Sequence, residues 1–174
     1  MRSKPILSIK HEVSGSKPLE KALAEIKRTA IYVGIANDSE KNKRKDGAPI
    51  TNAQLGFIHE FGSPAANIPA RPFLVPGVES VKGKIGTDLG KAAKAALKGD
   101  ESGFDAQMEK TSIDAAEAVK SYMKGGDFAP LAPSTIKTRQ KKIKAVGGVG
   151  ASIKPLIDTA DLLGSISGIV SKED

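Results

Sequence analysis

The two residues best placed to do chemistry are His59 and Glu60, in the stretch TNAQLGFIHEFG at 51–62. On a helix, the pattern H-E-x-x-H holds zinc between two imidazoles one turn apart, with the glutamate as general base. The second imidazole is missing here: position 63 is Ser63, and the other histidine of the chain is His11. Zinc needs several such ligands, so His59 and Glu60 are expected to pack or hydrogen-bond at the end of an element. Glycine-rich phosphate sites fail in a similar way. GTDLGKA at 86–92 has too few residues between its glycines for a P-loop, and Ala92 stands where magnesium needs a hydroxyl. GGVGAS at 147–152 lacks the preceding strand and following helix of a dinucleotide site. There is no cysteine for a thiol nucleophile or a disulfide, and no G-x-S-x-G elbow. Acidic residues are scattered over predicted solvent faces. The expectation is a protein that is not an enzyme and takes neither metal nor cofactor.

Charge is more informative than catalysis. Lys and Arg number 27 against 20 Asp and Glu, a net +7 over 174 residues. Such a balance favours acidic partners. Two clusters concentrate it: Lys41, Lys43, Arg44 and Lys45, then Lys137, Arg139, Lys141 and Lys142. Neither has aromatic residues interleaved to stack bases. Both are candidates for contact with a DNA phosphate backbone or an acidic surface, against the plainer reading of a solvated face. A basic nucleic-acid-binding module is therefore one functional class to carry forward.

The elements that must position these groups follow from pattern. Residues 6–13 alternate Leu7, Ile9, His11 and Val13 with polar partners, as a strand does. PLEKALAEIK at 18–27 reads as a short helix with an apolar stripe of Leu19, Leu23 and Ile26. AIYVGIA at 30–36 is β-branched and apolar on both faces, which predicts a central strand. Residues 38–50 are polar and basic and predict a mobile loop. At 51–62, Thr51 is a plausible N-cap for a helix carrying Leu55, Ile58 and Phe61, with a strand over the last half as the alternative. Pro64, Pro69, Pro72 and Pro76 require 63–76 to be extended or turning.

Two long helices are predicted next. The first carries Val78, Val81, Ile85, Leu89, Ala92 and Ala96; the second carries Phe104, Met108, Ala115, Val119 and Tyr122 and stops at Gly125–Gly126. A proline-punctuated loop at 127–135 leads to a basic helix capped by Ser134. A short helix within 155–166, capped by Asp158 or Thr159, precedes a final strand. This order predicts an α+β fold: one domain over 1–174, a small mainly antiparallel sheet, and several helices on one face. No segment approaches the ~20 apolar residues of a membrane span. The apolar run Pro5–Leu7 is too short for a signal-peptide core, so a soluble protein made inside a cell is expected.

One resemblance stands out. Leu55–Gly56, His59–Gly62 and Ile68–Leu74 (IPARPFL), within 52–79, resemble the virion-morphogenesis or tail-completion family of tailed bacteriophages, Mu-like examples included. Leu131–Ile136 with its lysine-rich sequel, and Lys154–Ile166, are similar to the distal signature of that family. Ala160 departs from it, standing where the family usually has glycine, which implies a locally different turn.

The resemblance implies a structural virion protein of the neck or upper tail, made in the bacterial host cytoplasm. It would act in tail completion or head–tail joining. It implies a homo-oligomeric ring around the DNA channel, with hexameric closure as the expectation, meeting tail-tube and connector proteins. Terminator, head-side connector and assembly factor stay open within it. On this reading Phe61, Arg71, Pro72 and Phe73 are the candidate ring-interface residues. Arg71 is expected to pair with a carboxylate such as Glu60 and so fix a stiff arm. Phe57, Phe61 and Phe73 are expected to anchor either the core or the subunit interface.

Overall fold

The computed structural model describes residues 16–36, 49–145, 152–157 and 161–173. The strand expected at 6–13, the cluster Lys41, Lys43, Arg44 and Lys45, and the caps Asp158 and Thr159 lie outside the described residues. So do Ala160 and nearly all of GGVGAS.

Helix α1 (Ser16–Arg28) runs into strand β1 (Thr29–Ile35). Helices α2 (Asn52–Phe61), α3 (Leu74–Glu79), α4 (Lys82–Leu97), α5 (Glu101–Gly125), α6 (Pro133–Ala145) and α7 (Asp161–Gly164) follow. Strand β2 (Ile166–Lys172) returns antiparallel to β1, with Thr29 opposite Lys172 and Ile35 opposite Ile166. The fold is α+β, with the two-stranded sheet packed on the helices by one face.

The longest helix, α5, is the spine. Around its first half Phe104 and Met108 pack with Ala22 of α1 and Ala92 and Ala96 of α4. Around its second half Ala116, Val119 and Met123 pack with Phe73, Leu156, Leu162 and Ile166. The inner face of the sheet lies along the same helix. A Cβ at Gly168 would come 2.1 Å from the Ser112 carbonyl oxygen, so β2 meets α5 backbone to backbone, and only glycine permits that approach.

Strand β1 pairs with β2 among the described residues, and Tyr32 and its cross-strand partner Ile169 lie exposed on the outer face. Two sequence expectations need correction. The apolar series from Val78 to Ala96 is two helices rather than one, broken at Ser80–Val81. Val81 at the break and Ile85, Ala92 and Ala96 in the second piece keep the expected inward face, but Asp88 is buried there and Leu89 is exposed. Finally, α6 starts at Pro133, so Ser134 lies inside its first turn rather than capping it. Proline is well suited to that first position because its missing N–H would have no helical partner.

Asp88 is tolerated inside because it is bridged. Lys84 Nζ donates to it at 2.8 Å and Lys91 Nζ at 2.7 Å. Lys84 also reaches Asp114 on α5, which Lys110 holds at 2.7 Å. The hydrogen bonds from Lys84 and then Lys91 lower the Asp88 carboxyl to about 2, from an ordinary 3.8. Lys110 and Lys84 likewise lower Asp114. A carboxyl held low in the fold stabilises it above its unfolded value and ceases to do so as pH falls through the folded one. The urea midpoint should therefore drop between about pH 4 and pH 2. Asp88→Asn should be less stable at pH 7 and show a shallower acid drop. An unchanged acid slope in that variant would show that the bridge does not govern it.

Candidate functional site

Thr51 begins the candidate site by fixing the start of α2. Its Oγ1 accepts from Gln54 N at 3.2 Å while its own N–H donates to Gln54 Oε1 at 2.9 Å. This reciprocal pair satisfies two amides that a helix start leaves open. The helix, rather than the alternative strand, runs to Phe61. It stops at Gly62, whose φ of 77° is left-handed and whose N–H donates to Ile58 O at 2.8 Å. A Cβ there would stand 2.8 Å from Ala70 N. Glycine is thus required both for the turn and for the chain that folds back across it.

The arm that follows closes on itself. Ser63 and Ile68 exchange backbone hydrogen bonds of 2.9 and 3.0 Å around a 3-10 turn at Pro64–Ala66. Asn67 is left-handed at the tip, and Arg71 N donates to His59 O at 2.7 Å. The expectation of extended or turning chain holds through Pro72 and fails at Pro76, which lies in the first turn of α3. Proline fits there because amides of the first turn have no intrahelical acceptor.

The expected Arg71–Glu60 pair does not form. The Glu60 carboxylate accepts from Phe73 N at 2.8 Å and Leu74 N at 2.9 Å through Oε2, and from Val75 N at 3.2 Å through Oε1. It is buried, and it caps α3 from another helix. A negative charge is favoured there because the open N–H groups make that helix end positive. With both carboxylate oxygens engaged, Arg71 turns the other way. Its Nε donates to Ala129 O at 2.7 Å and its Nη2 to Pro130 O at 2.9 Å. The guanidinium is 5% exposed, and burial followed by the nearby Arg139 charge lowers its pKa.

The other candidates separate. Phe73 is 2% exposed in the second core, so it anchors the arm within the protomer and offers no surface to a neighbour. Pro72 is exposed. Phe57 and Phe61, one helical turn apart, are 65% and 66% exposed and touch each other with centroids 4.8 Å apart. Core packing is thus excluded for both. With Val75 they border a groove of about 230 Å³ between the end of β1, α2 and the start of α3. On α6, Lys137, Lys141 and Lys142 are exposed. Arg139 differs: its Nη1 donates to the carbonyls of Ser152, Lys154 and Ile157 at 2.9–3.1 Å, tying α6 to the chain that follows.

A larger cleft, about 960 Å³, opens between the arm and the 130–139 segment. His59, Ile68, Arg71, Leu131, Ala132 and Arg139 are among its walls, and among the described residues no Asp or Glu is. Among the described residues no group of His, Cys, Asp or Glu could hold a metal ion, and no helix is long and apolar enough to cross a membrane. Protein-family profiles, curated proteins and solved structures were all compared with the chain, and none matches.

Glu60 as the cap of α3 was not foreseen from the sequence. Its partners lie 13 to 15 residues away and are backbone groups, which leave no signature in residue type. Glu60→Ala should strand these buried donors and cost about 1–3 kcal/mol in urea unfolding. Glu60→Gln, which keeps an acceptor but loses the charge, should cost less. Equal stability of Glu60→Ala and the parent chain would overturn the latch.

Proposed function

We propose that this chain is a structural subunit of the neck or upper tail of a tailed-phage virion, acting in tail completion or head–tail joining. It assembles head to tail with copies of itself into a ring around the DNA channel, and its further partners are tail-tube and connector proteins. One observation carries the reading. The two separated segments that bear the family resemblance pack on each other: Arg71 bonds to Ala129 and Pro130, and Phe73 shares a core with Leu156 and Leu162. Residues that could have been two unrelated short matches form one folded unit.

The surface of that unit supports an assembly role. Exposed aromatic side chains that contact each other are costly to leave in water and are favoured at the buried centre of interfaces. Phe57, Phe61 and Val75 form such a patch beside a groove. Phe61 also borders the larger cleft on the other side of α2. A head-to-tail ring needs two different surfaces on each subunit, and closure then fixes their number.

The double variant Phe57→Ser/Phe61→Ser should remain folded by circular dichroism, because neither ring is buried. It should run as a monomer in light scattering, show no rings by electron microscopy, and lower the yield of complete particles at least tenfold. Normal particles from this variant would remove the patch from the assembly reading.

The exposed Lys137, Lys141 and Lys142 favour a second reading, a module that binds nucleic acid through phosphates. Its signature is salt. Phosphate contacts by these three lysines would weaken duplex binding by roughly fortyfold between 50 and 200 mM salt. Replacing the three lysines by alanine would flatten that dependence. Little affinity for free DNA, together with rings, favours the virion subunit.

A further inference from the structure

We infer that the cleft between the arm and the 130–139 segment is a receptor for a carboxylate presented by an acidic segment of a protein partner, with Arg71 as the recognising group. The inference deepens the assembly reading, on which it rests only in taking the occupant to be a protein.

The argument starts from an imbalance of charge. A buried cation is expensive unless it meets an opposite charge. Arg71 is 5% exposed, yet it forms no ion pair among the described residues. Its hydrogen-bond partners are neutral carbonyls, Ala129 O and Pro130 O, reached through Nε and Nη2. The neighbouring charge that acts on it is another cation, Arg139, and the repulsion adds to the effect of burial. Among the described residues no acidic side chain lines the cleft that it borders. Glu60 of α2, the carboxylate expected to pair with it, is held by the amides of 73–75. Nη1 makes none of the guanidinium's hydrogen bonds, which leaves it to an incoming anion.

Shape selects the kind of anion. The cleft walls carry Pro64, Pro69, Pro130 and Pro133 with Ile68 and Leu131, and His59, Asn67, Thr135 and Arg139 add polar groups. The prolines and aliphatic side chains make much of the wall apolar and stiff, a poor bed for a solvated polyanion. A duplex phosphate is fixed on a broad backbone and cannot be brought to a guanidinium this deeply buried. A carboxylate at the end of a slender Asp or Glu side chain can be, with apolar neighbours in its own chain resting on the prolines. The net charge of +7 points the same way, since it favours an acidic partner.

The test uses the full chain and a fluorescein-labelled peptide of alternating glutamate and leucine, read by anisotropy. The parent chain should bind it, and Arg71→Lys should weaken binding at least tenfold, because an ammonium does not reproduce the guanidinium fork. That variant could also loosen the 129–130 contact, so Ala132 provides a second handle: it is exposed and lines the cleft. Ala132→Glu places a carboxylate in the cleft from within the chain and should abolish peptide binding while leaving the circular dichroism unchanged. Ala132→Gln, with the same shape and no charge, should retain it. Three results would overturn the inference: no binding of the peptide up to millimolar concentration, equal loss in Ala132→Gln and Ala132→Glu, or a short DNA duplex that displaces the peptide at lower concentration than the peptide itself binds. Rings that fail to form while the peptide binds as expected would remove the assembly reading and leave the carboxylate receptor standing.

Discussion

The fold around the cleft depends on one buried carboxylate. Glu60 leaves the end of one helix and accepts the first amides of another, and everything between them is held as a closed loop. Without that charge, the start of α3 would present open donors to an apolar surrounding. With it, Phe73 is delivered into the core and Arg71 is turned toward the carbonyls of 129–130. The proline-rich arm is therefore stiff for two reasons. Its residues restrict their own backbone, and its two ends are fixed to the same helix, by Arg71 N on His59 O and by Glu60 on α3.

This construction separates roles that the sequence presents together. Phe61, Arg71, Pro72 and Phe73 lie within a short stretch, but two of them face inward and two outward. The inward pair builds the protomer. The outward pair and Phe57 are free to meet other molecules. A surface that is prepared in this way, by a latched loop on a rigid helix, loses little conformational entropy on docking. That suits the assembly role proposed above.

Much of the framework was legible from the residues. Thr51 with Gln54 three positions on announces a helix start, and β-branched Ile31, Val33 and Ile35 announce a strand. Apolar spacing gave the course of α5 almost completely, from Phe104 to Val119. The failures have physical causes. Periodicity does not register a two-residue break, so the series from Val78 reads as one helix, and at the edge of its stripe spacing cannot choose between neighbours 88 and 89, where residue type favours Leu89. A buried aspartate is unexpected from residue type alone; only the placement of Lys84 and Lys91 on either side of it makes burial tolerable. In the candidate site, complementary charge predicted Arg71 with Glu60. The actual partners are backbone atoms, which every residue possesses and which no pattern of side chains can indicate. Exposure of Phe57 and Phe61 was equally hidden, since an aromatic residue reads alike in a core and at an interface.

The contact of Gly168 with Ser112 bears on how such a chain can change over time. Where a sheet rests on a helix through side chains, their sizes set the separation, and substitutions can adjust it by small steps. Here two main chains meet with nothing between them. The separation is consequently a fixed dimension of the fold, closed to gradual adjustment. Variation has to accumulate elsewhere: on the outer face of the sheet, where Tyr32 and Ile169 stand in solvent, and along the arm and α6. A rigid interior seam and permissive outer surfaces give one scaffold the latitude to fit many different neighbours.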